Sequence, residues 1–267
     1  SQLFVGIGTL INHRVPAQPI KHVFGSGVGY GDVPALDEKW KFHVLRGYES
    51  ARLLNADRAS VITDGAVLLN AVDLPRAPST DKAVGFIPHC LSNRYYEWER
   101  VAETLGMHFI DVRWDVERVL LEMTRCRTLV CEAMHGAIVA DTLRIPWIPV
   151  SCYDYISAFK WRDWLSTVAL PYDPVHVTSL YDIERDDDWR SRAKNSVKRG
   201  LQSVGVWSDG WTPPPAAKTG QRELDRALGE LSEAMKREPL LSADSVLDTH
   251  TRSEEHTSEL QSPCNIV

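Results

Sequence analysis

Between Leu3 and about Val150, short apolar runs alternate with stretches patterned for helices, and this alternation narrows the fold more than any other feature. A strand buried on both faces reads as a continuous apolar run, whereas a helix crossing over between parallel strands carries an apolar stripe at spacings of three and four. The chain is therefore expected to be α/β, with parallel sheets covered by helices. The runs predict strands at Phe4 to Gly8, Lys21 to Gly25, Phe42 to Leu45, Ser60 to Thr63, Ala83 to Ile87, His108 to Asp111, Thr128 to Cys131 and Trp147 to Val150. Helices are expected at Tyr48 to Leu54, Arg94 to Leu105, Val116 to Arg125 and Gly136 to Leu143. Gly106 stands where a helix C-terminal glycine belongs, and Asp115 where an N-cap belongs.

The stretch from Ala71 to Asp81 interrupts the rhythm with two prolines and polar residues, and reads as an interdomain linker. It divides an N-terminal Rossmann-like unit, 1–72, from a C-terminal one, 73–180, the two facing each other across a cleft. Residues 181–251 read as a helical extension: Glu184 to Arg190 as a helix start, Thr212 to Ala216 as a stiff spacer, then an amphipathic helix on Leu224, Leu228, Leu231 and Met235. The chain opens at Ser1 directly into an apolar run, so the N-terminal unit is expected to be incomplete at its start. Arg252 to Ser262 resembles the translation of a sequencing adapter, so 252–267, with His256 and Cys264, are set aside as a non-native tail.

Thirty Lys plus Arg against 36 Asp plus Glu leave the balance mildly acidic, which disfavours nucleic acid as a partner. The five cysteines are odd in number and scattered, without a C-x-x-C pair, and point to a reducing, cytoplasmic compartment. No apolar stretch approaches the ~20 residues a membrane helix requires. The nine histidines include no pair at metal-ligand spacing, so no metal is expected, and Asp186 to Asp188 reads as a solvated helix start.

Chemistry-bearing residues gather at the ends of the expected strands, where open α/β sheets collect ligands. Gly25-Ser26-Gly27 opens a segment with four glycines in seven residues; such a turn either brings backbone N–H groups against an anion or simply turns the chain. Arg46, between a strand and a helix, could grip a carboxylate or phosphate with two prongs, or form a salt bridge. Asp64 presents a carboxylate at a turn, for a sugar hydroxyl or for the turn itself. His89 follows another strand end, either as a site residue or as a hydrogen-bonded loop histidine. The strongest local case is Cys131-Glu132-Ala133-Met134-His135-Gly136, where a strand gives way to a helix start and its unpaired N–H groups favour an anion. His135 could donate a proton there, with Glu132 on the same loop within reach of the ligand or of His135.

The ordered set Val23 to Gly29, Leu45-Arg46-Gly47, Thr63-Asp64-Gly65, Ile87-Pro88-His89 and Glu132 to Gly136 resembles the polysaccharide pyruvyl transferase family, closest to its succinoglycan-type branch, over roughly residues 3–170. The resemblance implies a two-domain fold like that of GT-B glycosyltransferases and phosphoenolpyruvate as donor. It implies an oligosaccharide or lipid-linked sugar as acceptor and no nucleotide or other cofactor. A lipid-linked acceptor would bring the protein to the inner face of the cytoplasmic membrane. For this ketal-forming chemistry the catalytic candidates are His135 as general acid and Asp64 or Glu132 to position the acceptor. Arg46, Gly25, Ser26, Gly27, His89, Arg94 and Gly136 are the binding candidates. The chain departs from the family at Ala133, where better characterised members carry a donor-binding arginine, so donor binding falls to other cations such as Arg46 or Arg94. Two alternatives remain: a GT-B glycosyltransferase using a nucleotide sugar, with Glu132 holding a ribose, and a non-catalytic glycan-assembly protein, favoured by Ala133.

Overall fold

Three parallel strands begin the chain and lie side by side in sequence order: β1 (Gln2–Val5), β2 (Ile20–Ser26) and β3 (Trp40–Leu45). The structure, a computed structural model, describes residues 1–29, 31–74, 83–180 and 221–243. Helix α1 (Tyr48–Leu54) spans the range its sequence specifies and turns Ala51 and Leu54 onto Val5, Val23 and Leu45 of the sheet. It stops at Asn55, whose left-handed backbone (φ 47°) ends the helix in the way short polar residues tolerate best.

The strand expected over Ser60 to Thr63 does not form. Asp57 accepts a hydrogen bond from Ala59 N–H and closes a 3-10 turn at Arg58–Ser60, leaving Val61 a single bridge to Leu45. Asp64 repeats the device, its side chain accepting from Ala66 N–H at the head of a second 3-10 helix, Gly65–Ala71. Local side chain to backbone bonding has outcompeted the ladder in both places.

The second sheet is also wholly parallel: β4 (Ala83–Ile87), β5 (His108–Phe109), β6 (Cys126–Cys131), β7 (Trp147–Ser151) and β8 (Val175–His176), in the order β5-β4-β6-β7-β8. Around it run α2 (Ser92–Tyr95), α3 (Trp98–Thr104), α4 (Val116–Thr124), α5 (Met134–Thr142), α6 (Ala158–Val168) and α7 (Gln221–Ala234). The one helix expected over Arg94 to Leu105 is two, broken at the extended Tyr96, and the break carries Trp98 into the core against Phe86 and Tyr153. Gly106 takes the left-handed conformation expected of it (φ 67°), whereas Asp115 occupies the N-cap of α4 without a side-chain cap bond.

Alternate residues of the sheet feed two cores, as the pleat requires. Ile87, Leu129, Cys131 and Trp147 pack with Ala137, Ile138, Trp161 and Trp164 of α5 and α6. Phe86, Val130 and Val150 pack on the other face with Trp98 of α3 and with Ala227 and Leu231 of α7. Each large side chain so buried contributes roughly 1.5–3 kcal/mol. Helix α7 presents the apolar stripe its sequence specifies, with Leu224, Leu228 and Met235 completing the contact. Cys126, Cys131 and Cys152 are buried free thiols and Cys90 is an exposed one. No helix among the described residues is long and apolar enough to cross a membrane. Most of the expected linker, Glu184 to Arg190, the proline spacer and the 252–267 tail lie outside the described residues.

Candidate functional site

The chain leaves β4 toward β5 on one side and returns on the other side through β6, so the strand order reverses between β4 and β6. The crevice beyond the carboxyl ends of such a pair is where open parallel sheets bind ligands. Pro88 and His89 follow β4 at this point, and Glu132 to His135 follow β6. The first sheet meets the second along the same side, through two contacts between α1 and α6 and between the Gly65–Ala71 turn and α5.

The first contact is closed. Arg46 is 0 % exposed and Asp163 of α6 is equally buried. Arg46 Nε donates to Asp163 Oδ2 at 3.0 Å, and Nη2 lies 3.0 Å from the same oxygen. Nη1 donates to Thr9 Oγ1 at 2.8 Å and to the Gly8 carbonyl at 3.3 Å, and Nη2 to the Val28 carbonyl at 2.8 Å. Every guanidinium N–H thus faces a protein acceptor. Asp163 also accepts from Ser50 N–H at 2.7 Å and Ser50 Oγ–H at 2.6 Å. Gly47, the N-cap of α1, has no side chain to offer, so α6 caps that helix from across the seam.

This arrangement revises the expectation for Arg46, whose charge is spent on the fold and does not face the crevice. It revises the glycine-rich turn as well. A Cβ at Gly25 would lie 2.2 Å from Gly65 N, and one at Gly27 2.6 Å from the Arg46 guanidinium, so protein atoms fill the space an anion would need. Ser26 is fully buried, its hydroxyl donating to the Gly8 carbonyl and accepting from Leu10 N–H.

Glu132 is likewise removed from the opening. It is fully buried, and its carboxylate accepts His89 N–H at 2.8 Å and Cys152 N–H at 3.2 Å, tying the ends of β4, β6 and β7 together. Burial raises its pKa, and these bonds with one from Ser92 oppose the rise. Reach to a ligand, expected from its loop position, is lost to this clamp. Gly136 lets the start of α5 close onto Ile87, where a Cβ would meet Cγ2 at 3.1 Å.

His89 stands at the crevice in a neutral state. Its Nδ1 accepts from Leu91 N–H at 3.3 Å, which leaves the ring proton on Nε2, and the ring tilts on Tyr155. Its pKa is lowered to about 4, by burial first and the Lys160 charge second. Arg94 belongs to α2, but its side chain lies outside the described residues.

The second contact across the seam is open. His135, in the first turn of α5, keeps 43 % of its side chain exposed, yet its Nε2 is inaccessible and sits 3.5 Å from Oδ2 of the wholly buried Asp64. Oδ1 of Asp64 is committed to Ala66 N–H, whereas Oδ2 has no hydrogen-bond partner among the described residues. The structure therefore brings Asp64 and His135 together and leaves Arg46 and Glu132 as framework.

Two residues with a bearing on the site were not singled out from sequence, Asp163 and Lys160, because α6 itself was not expected. Phe159, Trp161, Trp164, Leu165 and Val168 do recur at helical spacing, and the charged residues among them, Lys160, Arg162 and Asp163, are the signal that was there to read. Lys160 is only 8 % exposed, and burial first and the Arg46 charge second push its pKa down to about 8. Among the described residues no group of three or more His, Cys, Asp or Glu side chains could hold a metal ion.

No protein-family model matches the chain. It is 34% identical over 180 residues to the succinoglycan biosynthesis protein ExoV of Rhizobium meliloti (strain 1021), an alignment covering 66% of this chain and 56% of that protein. The chain thus spans a little over half the length of this relative.

Proposed function

We propose that this chain acts in the assembly of a bacterial exopolysaccharide as a polysaccharide pyruvyl transferase, moving the pyruvyl unit of phosphoenolpyruvate onto a glycan as a ketal. The similarity to a protein named for succinoglycan biosynthesis supports the pathway. The observation that carries the reaction type is the half-open imidazole of His135 at the strand-order reversal, seated against a buried carboxylate.

In this reading His135 is the general acid. It protonates C3 of the enol, which makes C2 electrophilic. A sugar hydroxyl forms a bond to C2, the bond from C2 to the phosphate oxygen breaks, and a second hydroxyl closes the ketal. One hydroxyl proton balances the proton delivered to C3 and the other leaves with phosphate. Acid catalysis of this kind contributes about 10²–10⁴-fold. Lys160 and the first N–H groups of α5 supply positive potential for the donor's carboxylate and phosphate. The two parallel sheets are read as the halves of a GT-B-like arrangement, residues 1–72 and 73–180, with no cofactor. A lipid-linked oligosaccharide at the inner face of the cytoplasmic membrane serves as acceptor.

A nucleotide-sugar transferase has less support, because the carboxylate that would hold a ribose, Glu132, is occupied by backbone N–H groups. The test is incubation with phosphoenolpyruvate and a panel of free and lipid-linked oligosaccharides, read by product mass and phosphate release. A pyruvylated product is expected. Binding of UDP or GDP by calorimetry, with no phosphate released from any acceptor, would overturn the reading.

A further inference from the structure

Asp64 is remote in sequence from His135 and belongs to the segment that follows the first sheet, yet the fold drives its carboxylate under the imidazole. The approach is built from the backbone outward. Gly25, at the end of β2, presses directly on Gly65, so the Asp64 turn has no room to retreat. Ala66 of the same turn packs into the core beneath α5. Oδ1 is fixed by the Ala66 N–H, and this leaves Oδ2 aimed across the seam at His135 Nε2, 3.5 Å away. Neither atom has a hydrogen-bond partner among the described residues, and both are inaccessible to solvent. A buried polar pair left otherwise unsatisfied costs free energy unless its members serve each other, and catalytic hydrogen bonds are often this long before a ligand tightens them.

We propose that Asp64 is the positioning residue of this site: it fixes the His135 ring with the proton on Nε2 and presents Nδ1 to the substrate. A carboxylate accepts hydrogen bonds only, so the nitrogen facing it must be the one that carries hydrogen in the neutral ring. Protonation then adds the second proton at Nδ1, on the open side of the ring, and that is the proton delivered in the reaction. Asp64 keeps its own charge and touches no substrate atom. An acid whose acting nitrogen is set in advance does not need to flip its ring between turnovers.

This inference rests on His135 being the acid, and its test separates the two. In the whole chain carrying ¹⁵N-labelled histidine, the His135 signals are assigned by their loss in His135→Gln. The wild-type ring is expected as the Nε2–H tautomer at a pH where it is neutral, and Asp64→Asn is expected to give a mixed or inverted tautomer. The same variant is expected to lose about 10²-fold or more in turnover with little change in KM. Asp64→Glu, which restores the charge, recovers part of that loss. An Nδ1–H tautomer in the wild type, or an unchanged tautomer in folded Asp64→Asn, would overturn the role of Asp64 even if His135→Gln abolished transfer. Conversely, full turnover in His135→Gln would remove the acid while leaving the tautomer result to decide Asp64. An Nδ1–H ring in the wild type overturns the role of Asp64 without any variant; an Nε2–H ring, which free histidine also prefers, counts for Asp64 only when Asp64→Asn or Asp64→Ala shifts it.

Discussion

Two charge pairs cross the same seam between the sheets, and they are built in opposite ways. At Arg46 and Asp163 both partners are wholly buried, and the surrounding backbone and hydroxyl groups complete their hydrogen bonds. At His135 and Asp64 one partner is open to solvent, and the facing atoms have only each other. A completed buried pair has nothing left to offer a ligand, and its removal costs stability. An incomplete pair at a crevice has bonding capacity in reserve, and its removal should cost chemistry instead. Charge type alone does not distinguish them; the count of satisfied donors and acceptors does.

The largest effect should come from breaking the closed pair. Asp163→Ala leaves a guanidinium buried without its counter-charge and α1 without its cap, and should destabilise the fold by about 3–5 kcal/mol in denaturant titration. A loss below ~1 kcal/mol, the range of a surface pair, would mean the junction is not the framework described.

Lys160 stands near the closed pair and near His89, its charge acting on both Arg46 and His89. Lys160→Gln should raise KM for phosphoenolpyruvate by roughly 10–100-fold, the worth of one charged hydrogen bond, with a smaller change in kcat. An unchanged KM would assign the donor's anionic groups to the α5 terminus alone.

The smallest effect is a slope with pH. His89 takes a proton at about 4 in the folded chain and at its ordinary 6.5 when unfolded. Below 6.5 the unfolded state binds the proton more readily. Stability is therefore complete above that pH, falls as pH drops, and stops falling from this cause near 4. The loss should be about 2 kcal/mol once the partly open face of the ring is discounted. His89→Gln should flatten the curve over that window, and an unchanged curve would mean the ring is not held neutral.

Much of this architecture was legible in the sequence. The apolar runs located seven of the eight strands among the described residues, and the Tyr48–Leu54 helix came out with its observed ends. His135 drew attention in the sequence because it stands between an apolar run and a helix start, where unpaired N–H groups favour an anion. Arg46, Glu132 and the glycine-rich turn had the composition of a ligand site, and what sequence could not supply was their partners. Asp163 lies far along the chain from Arg46, and the N–H groups that occupy Glu132 come from the ends of other strands. Position at a strand end says that a residue is near the crevice, but only three-dimensional packing says whether its hydrogen bonds are already made. The pairing of Asp64 with His135 was hidden for the same reason, since it depends on one sheet being pressed against the other.

The central claim is that the incomplete pair at the seam performs the chemistry while the complete pair holds the fold. It is tested most directly by the turnover of His135→Gln with phosphoenolpyruvate and a competent acceptor, measured at a temperature where the variant is folded. The account predicts a loss of about 10²–10⁴-fold with an unfolding midpoint close to that of the parent chain. Near-normal turnover in the folded variant would contradict it.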